Sequence, residues 1–336
     1  MQQAKRPDNR RAVRESNFLP ELIEKLKKVR PEVSFVIPFT FLLLLVFKLI
    51  DRLILNKLLE NILLIPFQAA IFLFPAFLFA RLKDRKAPMR YLLSLRVRPP
   101  RLYQIPLMLS SFALMLSGTM LTSLIFAGTD SMESGFSLYS TFVSRVGGGF
   151  FSSLFLILAY CAVPAFCEEL VFRGILCREY ERLNVPMGIF SSAVFFAALH
   201  FAPSQFPVYL FSGILLALTM YASGSLIVSM AVHFAFNITG LFGQAYLNAF
   251  YHVTGGSSGI FVFVLVMLTL LFATLFCLSA SKCYAVRAKN SSMPSRPIFP
   301  KFGKLTSIFS EIFVNPFIIF SFALYILVAV VIPFFA

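Results

Sequence analysis

Long apolar runs are the feature that most restricts what this chain can fold into. A run of about 20 apolar residues is long enough to cross about 30 Å of hydrocarbon as a helix. The candidate spans are 32–50, 61–81, 103–127, 147–171, 187–202, 206–222, 224–248, 258–281 and 312–335. The sequence therefore predicts an all-α, polytopic transmembrane helical bundle of about eight or nine spans in a lipid bilayer.

The composition argues against a water-soluble globule and against a nucleic-acid partner. Of the 336 residues, 58% are hydrophobic and 13% are charged, and 42 are Phe. A soluble domain is about half apolar and about a quarter charged, and it could not hide this much apolar surface from water. The net charge of +15 lies in tails and loops, rather than along one helical face as nucleic-acid binding requires.

The distribution of basic residues predicts the orientation, because cytoplasmic loops carry an excess of Lys and Arg. Residues 1–31 and the connection 81–101 are rich in both, whereas residues 128–144 and the turn 255–259 contain neither. We predict a multi-pass protein of the cell membrane with a cytoplasmic N-terminus and an external C-terminus. The absence of a retention signal favours a plasma membrane over the endoplasmic reticulum.

Three charged residues interrupt one of the apolar runs. An ionisable group in a span costs about 2.5–3.5 kcal/mol at the helix centre, so each needs a partner or a purpose. Glu169 and Arg173 are four residues apart, share a helical face and can pair. Glu168 points about 100° away and stays available for water or a substrate. The alternative interpretation is that these are ordinary interfacial charges at the end of a span.

Two of the three histidines also lie in apolar spans. His200 ends one such stretch, and His233 and Asn237 are four residues apart, so they project from one helical face. Each motif alone is typical of hydrogen bonding between membrane helices. The helical rise places Glu168, His200 and His233 each about 13–20 Å from the predicted cytoplasmic ends, so they can meet near mid-membrane.

Prolines near these residues predict local breaks. Pro203 and Pro207 follow His200, and Pro164 precedes Glu168. Non-helical backbone at membrane depth is tolerated where it lines protein or a wet cavity. We therefore expect a chamber that holds water between the polar side chains.

Such a chamber has the groups that peptide hydrolysis needs. Glu168 can remove a proton from water and a histidine can orient that water. His233 and Asn237 can stabilise the oxyanion of the tetrahedral intermediate.

Together the motifs resemble those of the CPBP family, the glutamate-dependent intramembrane proteases with an Abi domain. The family is related to CAAX prenyl endopeptidases and to bacteriocin-processing and self-immunity proteins. The matching residues are EExxxR at Glu168, Glu169 and Arg173, FxxxH at Phe196 and His200, and HxxxN at His233 and Asn237. The resemblance covers about residues 145–250. It implies that Glu168 activates water, that His200, His233 and Asn237 are catalytic, and that Glu169 and Arg173 support them.

The resemblance leaves the cofactor open, because the family has been treated both as metalloproteases and as metal-free enzymes. Glu168, His200 and His233 could bind zinc with one open position. The His233–Asn237 pair is not an HExxH helix, which favours metal-free water activation.

The resemblance also implies an intramembrane endopeptidase whose partner is a membrane-associated protein or peptide, such as a CAAX-like protein or a leader peptide. A proton-coupled transporter is an alternative, because buried Glu and His also mark ion pathways. The motifs have no counterpart in the other half of the chain, unlike those of transporters with paired halves. A non-catalytic immunity or scaffold protein is the third hypothesis.

These expectations divide the chain into four parts. They are a basic cytoplasmic tail 1–31, N-terminal spans 32–144, a CPBP-type catalytic core 145–250 and C-terminal spans 251–336.

Overall fold

The computed structural model describes residues 31–53, 57–127, 149–255, 257–289 and 302–331. This part of the chain is helical and contains no strand, which confirms the all-α prediction. The helices are α1 Val36–Leu53, α2 Lys57–Lys83, α3 Pro88–Leu93, α4 Ile105–Ala127, α5 Phe150–Glu181, α6 Val185–Leu199, α7 Phe206–Ser223, α8 Leu226–Phe242, α9 Gln244–Val253, α10 Ser258–Lys289, α11 Phe302–Phe313 and α12 Pro316–Ile326. The tail 1–30, the connection 128–148 and the C-terminal residues 332–336 lie outside the described residues, and so do the topology predictions made on them.

Each predicted span overlaps at least one of these helices, but 224–248 runs from α8 into α9 and 312–335 begins at the end of α11 and includes α12. Five are long and apolar enough to cross a membrane, and α11 with α12 would add a sixth if this pair, bent by 69°, forms one span. The five are Leu63–Lys83, Leu102–Phe126, Phe150–Glu181, Pro203–Ser223 and Ser258–Lys289. The apolar helices Val36–Ile50, Val185–Leu199 and Leu226–Phe242 are shorter. The chain is therefore a polytopic membrane protein, and a count of eight or nine spans stays a prediction.

Helix α5 is longer than the predicted span 147–171, because it continues without a break to Glu181 over 32 residues. The motif with Glu168, Glu169 and Arg173 therefore lies in the interior of a helix. These charges therefore do not lie at the end of the helix, and their depth in a membrane stays a prediction.

Two wide turns of π-helix interrupt α5, at Leu158–Ala162 and Leu170–Cys177. Pro164 follows the first of them and does not break the helix, contrary to our expectation. A proline lacks the N–H that an α-helix uses at that position, and the wider turn accommodates its ring. The two carboxylates lie between the two π segments, and such segments are common at functional sites.

The predicted break after His200 is confirmed. Helix α6 ends at Leu199, with His200 as its C-cap. Phe201 then adopts a left-handed conformation with φ of 50°, which costs a residue with a side chain about 1–3 kcal/mol. A single 3-10 turn, Pro203–Gln205, leads into α7.

Close packing holds α6 and α7 beside α5. A Cβ atom at Gly213 of α7 would lie only 2.9 Å from the Cα and Cβ atoms of Ala193 in α6. This position therefore requires glycine, and the two backbones nearly touch. Helix α5 also packs against α2 and α8, while α4 packs against α7, α8 and α10 on the other side of the bundle.

A group of ion pairs, here called the end cluster, surrounds the C-terminal end of α5. Its members are Lys83, Arg96, Glu179, Glu181 and Arg182. The cluster joins the basic connection 81–101 to α5, so the residues predicted to be cytoplasmic lie at one end of the bundle.

The hydroxyl of Tyr91 extends the end cluster, since it donates a hydrogen bond to Glu179 at 3.0 Å. Burial, reinforced by the Glu179 carboxylate, raises the pKa of Tyr91 well above its usual range. Its hydroxyl therefore stays protonated and keeps donating to Glu179.

Candidate active site

The predicted pair of Glu169 and Arg173 is formed, and both side chains are fully buried. Nη1 of Arg173 donates to Oε1 of Glu169 at 2.7 Å. Nη2 of the same guanidinium donates to the carbonyl oxygen of Gly213 at 3.1 Å. The guanidinium also lies 4.3 Å from the ring centroid of Phe196, in a cation–π arrangement. The pair therefore ties α5 to both α6 and α7.

Helix α8 supplies two more contacts to Glu169. The hydroxyl of Ser229 donates to Oε2, and Nδ1 of His233 lies 3.1 Å from Oε1. With Arg173, three side chains now engage this carboxylate. Such compensation is what a buried charge requires, because an isolated one would cost several kcal/mol.

Glu168 differs from Glu169 in its burial and in its hydrogen-bond partners. Its side chain is 14% exposed, and no described residue donates a hydrogen bond to it. Nε2 of His233 lies 4.0 Å from Oε2 of Glu168. Glu168 is therefore the carboxylate left available, as the sequence predicted.

His233 lies between the two carboxylates. A carboxylate can only accept a hydrogen bond, so the contact with Glu169 assigns a proton to Nδ1. Its Nε2 then faces Glu168. A carboxylate that orients a histidine in this way is a common support for catalytic and metal-binding imidazoles.

His200 is oriented by two contacts. Its Nδ1 donates to the carbonyl oxygen of Phe196 at 2.9 Å, because a carbonyl only accepts. Its ring stacks on Tyr209 of α7 with centroids 3.6 Å apart. The Phe196 ring contacts both imidazoles edge to face, at 5.1 Å from His200 and 5.9 Å from His233. Phe196 therefore helps to set the distance between the two histidines.

Glu168 and His200 line one cavity of about 230 Å³. A water molecule occupies about 30 Å³ in the liquid, so the space admits several. The other lining residues are Leu44, Lys48, Gln68, Ile71, Phe72, Pro164 and Leu199. Glu168 thus shares a cavity with His200 and lies 4.0 Å from His233, and helices α1 and α2 supply further lining residues.

Comparison with known protein families identified a match to part of the chain. The segment 150–239 matches the family model described as Type II CAAX prenyl endopeptidase Rce1-like. Residues 150–239 form an Rce1-like domain. The comparisons found no match to the chain among curated proteins or among solved structures.

The Rce1-like domain runs from the start of α5 into α8 and contains every residue of the three motifs. It lies within the predicted core 145–250 and agrees with the CPBP resemblance. The matched family is described as one of CAAX prenyl endopeptidases, which are proteases.

Asn237 forms no hydrogen bond with the other motif residues among the described residues. Asn237 lies one turn after His233, is partly exposed and is not among the residues that line the cavity. No described residue forms a hydrogen bond with its side chain. Its role at the oxyanion stays a prediction.

The zinc alternative requires three ligands at one point. Among the described residues, no group of three His, Cys, Asp or Glu side chains is close enough to hold a metal ion. The set of Glu168, His200 and His233 therefore does not fit a three-ligand centre in this arrangement, since the Glu169 contact directs His233 and the Phe196 ring separates it from His200.

Two residues of the Rce1-like domain that position the site, Ser229 and Tyr209, were not predicted. Ser229 lies four residues before His233, and this helical spacing could have identified it. Tyr209 lies in an apolar run where aromatic residues also face lipid, so no local signal distinguished it.

Proposed function

We propose that this protein is an intramembrane endopeptidase in which Glu168 removes a proton from the water that attacks a peptide bond. One contrast carries the proposal. Glu169 is engaged by three protein side chains, whereas Glu168 has no donor among the described residues and lines a cavity with His200. A carboxylate in such a place suits general-base catalysis.

The remaining groups have distinct roles in this mechanism. Nε2 of His200 accepts a hydrogen bond from the water and orients it, because Nδ1 is held by Phe196. Glu168 takes the proton of the water as its oxygen bonds to the carbonyl carbon. Glu168 then passes the proton to the leaving amine as the C–N bond breaks.

His233 and Asn237 complete the mechanism by stabilising the oxyanion. A proton on Nε2 lets His233 donate to that oxygen. The Glu169 carboxylate at Nδ1 offsets the positive charge of a doubly protonated ring. Asn237 adds an amide donor when the substrate is bound.

The match to the Rce1-like family supports a proposal for the substrate class. We propose a membrane-associated protein or peptide with a CAAX-like carboxyl terminus, cleaved in the cell membrane. The end cluster marks the cytoplasmic end of the bundle in this proposal, and the N-terminus lies on the same side.

The test is cleavage of peptides by detergent-purified protein. A library that contains farnesylated peptides ending in a CAAX sequence, their non-prenylated counterparts and leader-like peptides is incubated with wild type, Glu168→Ala and His233→Ala. We expect cleavage by wild type and its loss in both variants. Cleavage that survives both substitutions would exclude this site, and an intact but inactive wild type would favour the scaffold hypothesis.

A chelator arm of the same experiment tests metal dependence. Metal-free water activation predicts equal cleavage with and without chelator. Loss of cleavage that zinc restores would establish the metalloprotease alternative.

A further inference from the structure

One wall of the cavity comes from α2, which lies outside the Rce1-like domain. Gln68, Ile71 and Phe72 of this helix line it. Residues three and four apart share a helical face, so α2 directs one polar and two apolar side chains towards Glu168. The Phe72 ring also packs against Phe172 of α5, with centroids 6.5 Å apart. Helix α2 is therefore fixed against the helix that carries the proposed base.

The carboxamide oxygen of Gln68 is buried and accepts no hydrogen bond from the described part of the chain. An amide buried without a partner destabilises a protein by about 1–3 kcal/mol. A group retained at that cost next to a catalytic cavity is a candidate for contact with a ligand.

Gln104, which is buried, provides a comparison because its carboxamide has hydrogen-bond partners within the protein. The Gln104 oxygen accepts a hydrogen bond from the backbone N–H of Arg101 at 2.8 Å, and its nitrogen donates to the carbonyl of Ser223 at 2.9 Å. Both ends of the Gln104 carboxamide are therefore satisfied within the protein. The Gln68 oxygen, by contrast, has no hydrogen-bond donor among the described residues.

We propose that Gln68 is a substrate-binding residue whose carboxamide hydrogen-bonds the peptide backbone beside the scissile bond. A carboxamide carries a donor and an acceptor, as a peptide unit does, so rotation about its last bond lets it match either backbone group. The apolar neighbours Ile71 and Phe72 contact the adjoining side chains of the peptide. This inference rests on the proposed endopeptidase function and assigns part of substrate recognition to α2.

The test compares Gln68→Met with Gln104→Met, because both variants replace a carboxamide whose oxygen is buried by an apolar side chain of similar length. Cleavage kinetics are measured on the best-cleaved peptide, and thermal unfolding is measured in detergent. Loss of one substrate hydrogen bond should raise KM by about three- to tenfold. For Gln68→Met we expect this KM change with kcat within about twofold and no loss of thermal stability. For Gln104→Met we expect reduced thermal stability with an unchanged KM.

The inference is overturned if Gln68→Met leaves KM unchanged. It is also overturned if the variant is less stable or unfolded, since a group without a protein partner should not be needed for folding.

A binding measurement separates this inference from the endopeptidase proposal. The affinity of a fluorescein-labelled, farnesylated CAAX peptide is measured by anisotropy for Glu168→Gln and for Glu168→Gln combined with Gln68→Met. Weaker binding by the double variant supports the role of Gln68 even if no peptide is cleaved. Equal binding contradicts it even if wild type is an active protease.

Discussion

Helix α5 carries two groups of charged residues, and they are organised in opposite ways. At its end, Glu179 pairs with Lys83 and Arg182, and Glu181 pairs with Arg96. Each carboxylate there has a basic partner, and the Arg182 side chain is 45% exposed. In the middle of the helix there is one guanidinium for two carboxylates. Arg173 pairs with Glu169 and not with Glu168, and both members of the pair are fully buried.

The difference supports the proposal that the end cluster is structural and that Glu168 acts in catalysis. The end cluster joins a loop to a helix, and its basic side chains are 14–45% exposed, so each pair contributes less than a fully buried one. The central group uses Arg173, Ser229 and His233 to hold one carboxylate and leaves Glu168 facing the cavity. A buried carboxylate without a cation of its own is expected at a catalytic site rather than in a structural ion pair.

The largest expected effect comes from removing the buried cation. Arg173→Met leaves Glu169 without its ionic partner, and breaking such a pair costs about 3–5 kcal/mol. We expect a large drop in the thermal or denaturant midpoint in detergent. Arg182→Met is the control, because its pair at the exposed end contributes at most about 1 kcal/mol. Equal effects for the two variants would contradict the distinction between the clusters.

The next effect concerns His233, which lies between the two carboxylates. We expect His233→Gln to lower kcat/KM by about 100-fold or more, because the imidazole contacts both Glu169 and Glu168. His252 of α9 is exposed and distant in sequence from the motifs, so His252→Gln should cleave as wild type does. Similar losses in both variants would show that the assay reports general damage.

A smaller effect is expected at Ser229. The hydroxyl donates to a charged carboxylate, and such a bond contributes about 1.5–3 kcal/mol. Ser229→Ala should lower stability by about that amount and reduce cleavage through a less well-held His233. The control variant Ser212→Ala removes a buried hydroxyl that donates to the carbonyl of Val208 in its own helix. We expect little change in its stability or its cleavage rate. An unchanged Ser229→Ala would mean that Glu169 does not depend on α8.

The smallest effect is expected in the end cluster. Glu181→Gln removes the partner of Arg96 at a partly exposed site, and we expect a loss of at most about 1 kcal/mol. High salt should reduce the difference between this variant and wild type, because exposed charges are screened. A loss of several kcal/mol would place the end cluster among the buried, structural ion pairs.

Local spacing predicted much of the site. The four-residue separation identified the Glu169–Arg173 pair, and the prolines identified the break after His200. The π segments of α5 have no signature in sequence, because they depend on how neighbouring helices pack. The contribution of Gln68 was missed for a similar reason. It is one polar residue in an apolar span, and only tertiary packing brings it to the cavity.

Single-turnover cleavage by Glu168→Gln tests the central claim most directly. The variant keeps the shape of the side chain and removes its basicity, and Glu181→Gln makes the same change in the same helix. We predict that Glu168→Gln, with unchanged thermal stability, cleaves the peptide at least about 1000-fold more slowly, within the range that general-base catalysis contributes, while Glu181→Gln stays near the wild-type rate. Cleavage by Glu168→Gln at the wild-type rate would contradict the account.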